Sequence, residues 1–150
     1  MKTNTMKIEI PEGQEIDSID KQSGEVTFKE KPNKVTDRIK TVADVLADQG
    51  ITQEEFDANC IGLEKDEVAY RIVKLLAKSL NEGWTPDWDN SNEYKYSPWF
   101  YMGGSSGFRF GDCAYWSAAS DVGSRLCFRS EKLARYAANQ FTDIYKQFML

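Results

Sequence analysis

Histidine is absent from the 150 residues. That removes Ser-His-Asp and Cys-His catalysis and every metal site built on imidazole. Any enzyme here must work with carboxylates, Lys, Tyr, Cys or a bound cofactor. Cysteine is scarce: Cys60, Cys113 and Cys127 are an odd, widely spaced set. They form no C-x-x-C pair, so neither a disulfide framework nor a zinc knuckle is expected. No apolar run approaches the length of a membrane span, and nothing like a leader h-region follows Met1. A soluble, cytoplasmic protein without membrane contact is the expectation. Positive charge is the minority sign, with a net −5 and a pI near 4.9. That balance disfavours sequence-independent nucleic-acid binding, which needs Lys and Arg clusters.

Aromatic residues are plentiful. Of 19 in the chain, 12 lie between Trp84 and Phe128. Gly103, Gly104, Gly107, Gly111 and Gly123 are interleaved with them. Rings bring contact area and glycines allow tight turns, so the segment reads as sheet core, binding surface or both.

The first residues predict a short strand at 6–10, a turn at Pro11–Gly13 and a second strand at 25–30, pairing as a hairpin arm over 1–33. Residues 31–34 read as a connector. Thr41 with Asp44, then Thr52 with Glu55, mark two helix starts. A long helix is predicted over 65–82 from the stripe Val68, Ile72, Leu75, Leu76 and Leu80. Glu67 and Arg71 are spaced on it for an ion pair. Strand signals follow at 94–102, 108–110, 114–117 and 124–128, with Gly111-Asp112 as a turn. These give a meander of three or four strands. Ser130 caps a last helix with Leu133, Ala137, Phe141, Ile144 and Phe148 inward. Tyr136 and Tyr145 flank that stripe, hydroxyls toward solvent. The predicted class is α+β in one domain of 150 residues. Its antiparallel sheet, from the C-terminal half, is covered by the long central helix and the C-terminal helix, and an N-terminal β-hairpin is attached.

Three stretches carry a resemblance. The run Leu80-Asn-Glu-Gly-Trp-Thr-Pro-Asp-Trp-Asp-Asn-Ser-Asn-Glu-Tyr-Lys-Tyr-Ser-Pro-Trp-Phe100 is one. Val122-Gly-Ser-Arg-Leu-Cys-Phe128 with Ser130-Glu-Lys-Leu-Ala-Arg-Tyr-Ala-Ala-Asn-Gln-Phe141 is the second, and the opening Ile8-Glu-Ile-Pro-Glu-Gly-Gln-Glu-Ile-Asp17 the third. Together they resemble a family of small proteins from gut Bacteroidales phages, prophages and mobile elements. The resemblance implies such an origin. It implies no activity and brings no catalytic residue. The Tyr-Trp-Ser…Val-Gly-Ser-Arg run is also faintly similar to C-type lectin-like variable domains, although the helix after it departs from that pattern.

Candidate chemistry follows from loops and rings. Asp87, Asp89, Asn90, Asn92 and Glu93 offer oxygen ligands to a cation, but as an EF-hand the loop fails, with Asn92 for the sixth-position Gly and Pro98 for the twelfth-position Glu. Its alternative is a turn whose side chains bond the local backbone. Asp87, Asp89, Glu93, Asp112 and Asp121 could supply a carboxylate pair for glycan or nucleotide hydrolysis. Cys127 reads as a small residue on a sheet face. Trp84 should fold back on its helix and Trp99 lie in the core. Trp88 and Trp116, in turn-rich surroundings, are expected at the surface with Tyr115, Arg109 and Arg125 as binding residues. The reading that follows is a non-enzymatic accessory protein that binds a protein partner and needs no cofactor or metal. A carboxylate-dependent hydrolase is the alternative, and a single-stranded nucleic-acid binder, stacking bases on its rings, the third.

Overall fold

The structure, a computed structural model, describes residues 7–30 and 34–150. They fall into two compact units divided after Lys34, each described by itself.

The first unit is an antiparallel hairpin of β1 (Gln14–Ile19) and β2 (Val26–Glu30), with Ile16 opposite Phe28. Asp20 shapes its turn by accepting the N–H groups of Gln22 (2.7 Å) and Ser23 (3.3 Å). The strand expected at 6–10 is not the partner of β2: residues 7–10 are not strand. Gln14–Ile19 takes that place because it lies nearer in sequence, and closing a short loop loses less entropy than closing one that spans Pro11. Residue 6 and residues 31–33 of the expected strand and connector lie outside the described residues.

The second unit holds six helices and one two-stranded sheet. Helices α1 (Val35–Arg38), α2 (Val42–Asp48) and α3 (Gln53–Asn59) lead into α4 (Lys65–Leu80). Both threonine caps form as read. Thr41 and Thr52 accept the N–H groups of Asp44 and Glu55, whose carboxylates accept the threonine N–H in return. Glu67 does the same for the Glu64 N–H at 2.9 Å, and no ion pair joins it to Arg71 among the described residues. After α4 the chain turns through Glu82 and Gly83, both at positive φ. Arg38 (3.3 Å) and Arg129 (2.5 Å) hold the Glu82 carboxylate there.

Strands β3 (Lys95–Tyr101) and β4 (Arg109–Trp116) form the sheet. The two short strands expected at 108–110 and 114–117 are one strand. Gly111, read as a turn, is a bulge: Trp99 pairs with Asp112 and Phe100 with Phe110, leaving Gly111 opposite no residue. The strand expected at 124–128 is absent too. Only a bridge forms there, Tyr96 with Phe128, through N–H···O bonds of 2.9 and 2.8 Å. The next pair of such a ladder would be Pro98 with Leu126, but Pro98 has no N–H and the Leu126 N–H is taken by the Gly123 carbonyl at 2.8 Å. On the far edge of the bridge the Asn81 amide donates to the Cys127 carbonyl and its oxygen accepts the Arg129 N–H, both at 2.9 Å. Those backbone groups serve the end of α4.

The last helix is two: α5 (Glu131–Gln140) and α6 (Thr142–Met149). Phe141 between them is buried at φ −117°, ψ 30°. The Thr142 hydroxyl donates back to the Ala138 carbonyl at 2.6 Å, and such back-bonding bends helices without Pro or Gly. The bend lays α5 across the sheet and returns α6 along α4. The core of Val73, Leu76, Phe100, Phe128, Ala134 and Phe141 joins these elements, confirming the α+β sheet packed on helices from the central and C-terminal segments. Both tyrosines depart from expectation. Tyr136 shares its hydroxyl between the carbonyls of Thr36 (2.9 Å) and Ile39 (2.7 Å). Tyr145 is buried at 3 % exposure, 4.9 Å from the Phe100 ring centroid, with no partner for its hydroxyl. Burial raises its pKa.

Candidate functional site

Cross-strand partners share a sheet face, so the register sorts the rings. Tyr96–Tyr115, Pro98–Cys113 and Phe100–Phe110 lie on the side that packs on α5. Lys95–Trp116, Ser97–Ala114, Trp99–Asp112 and Tyr101–Arg109 lie on the outer side. There Trp99, Tyr101 and Trp116 are 41 %, 46 % and 44 % exposed. Trp99, expected in the core, is an outer residue. It meets Tyr101 edge-on at 5.1 Å and stands against Gly111, where an added Cβ would be 2.4 Å from the nearest ring atom. The Arg109 guanidinium stacks on Tyr101 at 3.8 Å.

The five residues singled out from sequence are divided three ways. Trp116 and Arg109 share the outer face. Tyr115 is on the opposite face at the sheet's end, where it packs against Tyr94 (4.9 Å) and Tyr96 (6.0 Å) and stays 59 % exposed. Arg125 is not in a strand; it lies within a turn closed by the Leu126 N–H to the Gly123 carbonyl at 2.8 Å. Arg125 and Trp88 line a separate groove beside α4.

Trp88 owes its place to a residue that sequence reasoning passed over. Lys95 is fully buried, and its ammonium donates to the carbonyls of Asp87, Asn90 (3.2 Å) and Glu93 (2.8 Å). The Glu93 carboxylate stands 3.2 Å away and the Trp88 ring 5.3 Å from the nitrogen. The loop that read as a cation site thus closes on a cation of its own chain. An ammonium has three N–H donors, and three carbonyls take them. Glu93 also accepts the Asp87 N–H (2.9 Å) and the Trp84 indole N–H (3.2 Å). Asp87 and Asn90 accept the N–H groups of Asp89 and Asn92, each at 3.0 Å, as in a self-capped turn. The one available signal was a lone lysine set among strand rings.

Two of the candidate carboxylates, Glu93 and Asp112, are engaged by local N–H groups and a neighbouring cation. Glu93 is held below its ordinary pKa by the Asp87 N–H, and Asp112 by the Cys113 N–H with Arg135 beside it. Both are acceptors, whereas glycoside cleavage needs one carboxyl kept protonated. Burial pushes the Cys113 thiol up to about 11 and raises Cys127 as well. Cys127 is not on a strand, and its thiol donates to the Ser124 carbonyl at 3.3 Å. Among the described residues no group of three or more His, Cys, Asp or Glu is placed to hold a metal ion, and no helix is long and apolar enough to cross a membrane.

Comparison with protein-family models, with curated proteins and with solved structures returned no match.

Proposed function

We propose that this chain is a non-enzymatic accessory protein of a phage or mobile element that binds a protein partner, in the host cytoplasm, through the outer face of β3 and β4. The observation that supports this most is the set of half-exposed rings Trp99, Tyr101 and Trp116 on one sheet face whose other face is packed on helices. Tyrosine, tryptophan and arginine carry most of the energy in protein contacts, because they bring area and a polar handle together. The contacts within this group, Trp99 against Tyr101 and Arg109 on Tyr101, hold the rings in place before binding, which lowers the entropy lost on association. Arg109 fits a partner that offers a carboxylate beside apolar side chains. The likeness of residues 80–100 and 122–141 to small Bacteroidales phage proteins supports the origin.

Affinity capture from infected or lysogenic cells tests this, followed by rebinding with the purified partner. Tyr101→Ala and Arg109→Ala are expected to keep the melting temperature within a few degrees while weakening the partner at least about tenfold. Unchanged capture by both variants would remove the sheet face from the function.

A further inference from the structure

A second surface, separate from the sheet face, has a different chemistry. The groove beside α4 encloses ≈ 630 Å³, within the size range of small-molecule sites. Its lining includes Lys74 and Lys78, one turn apart on α4, with Arg125 and the rings of Trp84, Pro86 and Trp88. No Asp or Glu lines it, although acids outnumber bases 24 to 19 in the whole chain. Two other grooves differ: one mixes Asp66 and Glu67 with Arg71 and the same Lys74, the other Glu64, Asp66 and Asp143 with Lys65 and Lys146. Among the described residues none of Lys74, Lys78 and Arg125 makes an ion pair. Lys74 lies at the rim, its ammonium 5.7 Å from the Tyr70 ring centroid, so Lys78 and Arg125 are the unneutralised cations of this groove, and in an acidic protein they leave a local field that an anion would relieve.

The rings add the second half of the ligand. Trp84 is fixed through its indole N–H to Glu93, and Trp88 rests on the Lys95 ammonium. Both indoles are therefore positioned by the closed 87–93 loop before any ligand arrives. A flat π system suits their faces and a multiply charged anion suits the cations.

We infer that this groove is a binding site for a planar aromatic anion of the nucleoside-phosphate class, with the base against Trp84 and Trp88 and the phosphate held by Lys78 and Arg125. It shares no residue with the sheet face, so either reading can fail without the other.

The test uses the full chain and AMP, followed by the four tryptophan indole N–H resonances and by calorimetry. AMP is expected to bind saturably and to shift the indoles of Trp84 and Trp88, leaving those of Trp99 and Trp116 in place. Inorganic pyrophosphate is expected to compete, and adenosine to bind at least about tenfold more weakly. Lys78→Ala with Arg125→Ala is expected to weaken AMP at least about tenfold with an unchanged melting temperature. Lys78→Arg is expected to retain binding, which separates lost charge from lost fold. No saturable shift at millimolar AMP, shifts confined to Trp99 and Trp116, or retention of a DNA oligonucleotide without AMP would each overturn the assignment.

Discussion

The inner and outer faces of the β3–β4 hairpin are made from the same seven- and eight-residue strands, yet they use rings differently. Inside, Phe100 stacks on Phe108 at 4.9 Å and meets Phe110 edge-on at 6.1 Å, against α5 and Tyr145. Outside stand Trp99, Tyr101 and Trp116. The phenylalanines are all inside and the outer rings all carry an N–H or O–H that water can satisfy; the inner tyrosines, Tyr96 and Tyr115, stand at the sheet's end, with Tyr115 59 % exposed. Aromatic density along a sequence therefore measures contact area without saying which side it serves. The heteroatom, read with the register, says more.

That contrast can be broken at several points. Phe100→Ala is expected to lose about 3–5 kcal/mol in urea denaturation, the value for emptying a packed ring site. A loss below about 1 kcal/mol would mean that the inner face is not the core. Lys95→Met leaves three loop carbonyls without their shared donor. About 3 kcal/mol is expected, with the Trp84 and Trp88 indole signals moving together. Gly111→Ala drives a methyl into the Trp99 ring, for roughly 2 kcal/mol and a red-shifted Trp99 emission as the indole lifts from the strand. Trp116→Ala, on the outer face, is expected to cost about 1 kcal/mol or less, and a loss near that of Phe100→Ala would move Trp116 into the core. Tyr145→Phe works in the opposite direction. It deletes a buried hydroxyl that has no partner, so a gain of up to about 1 kcal/mol in thermal melts is expected.

Local signals carried the helices well. The Thr41 and Thr52 caps and the α4 stripe act within four residues of themselves, and each forms as the pattern requires. What could not be read locally was decided by partners distant in sequence. Asn81 takes backbone groups 46 and 48 residues away and ties the run at 124–128 to the end of α4. The hydroxyl of Tyr136 meets carbonyls 100 and 97 residues upstream. Gly111-Asp112 has the composition of a turn, and only the ladder across it, with Trp99 needing bare backbone beneath, makes it a bulge. The candidate residues were legible as types but not as a constellation. Trp116 and Arg109 are brought together by register, Trp88 and Arg125 by a loop and a turn. Lys78 was passed over because a lysine on an exposed helix face looks like ordinary solvation until Arg125 is found lining the same groove.

Lys95 has a last consequence. A loop that borrowed calcium would come and go with the concentration of the ion and would open in chelator. One that closes on its own side chain is assembled once, as the polypeptide collapses. Its tryptophans stay in position at any metal level, and its nitrogen is shielded from acylating reagents that reach lysines at the surface.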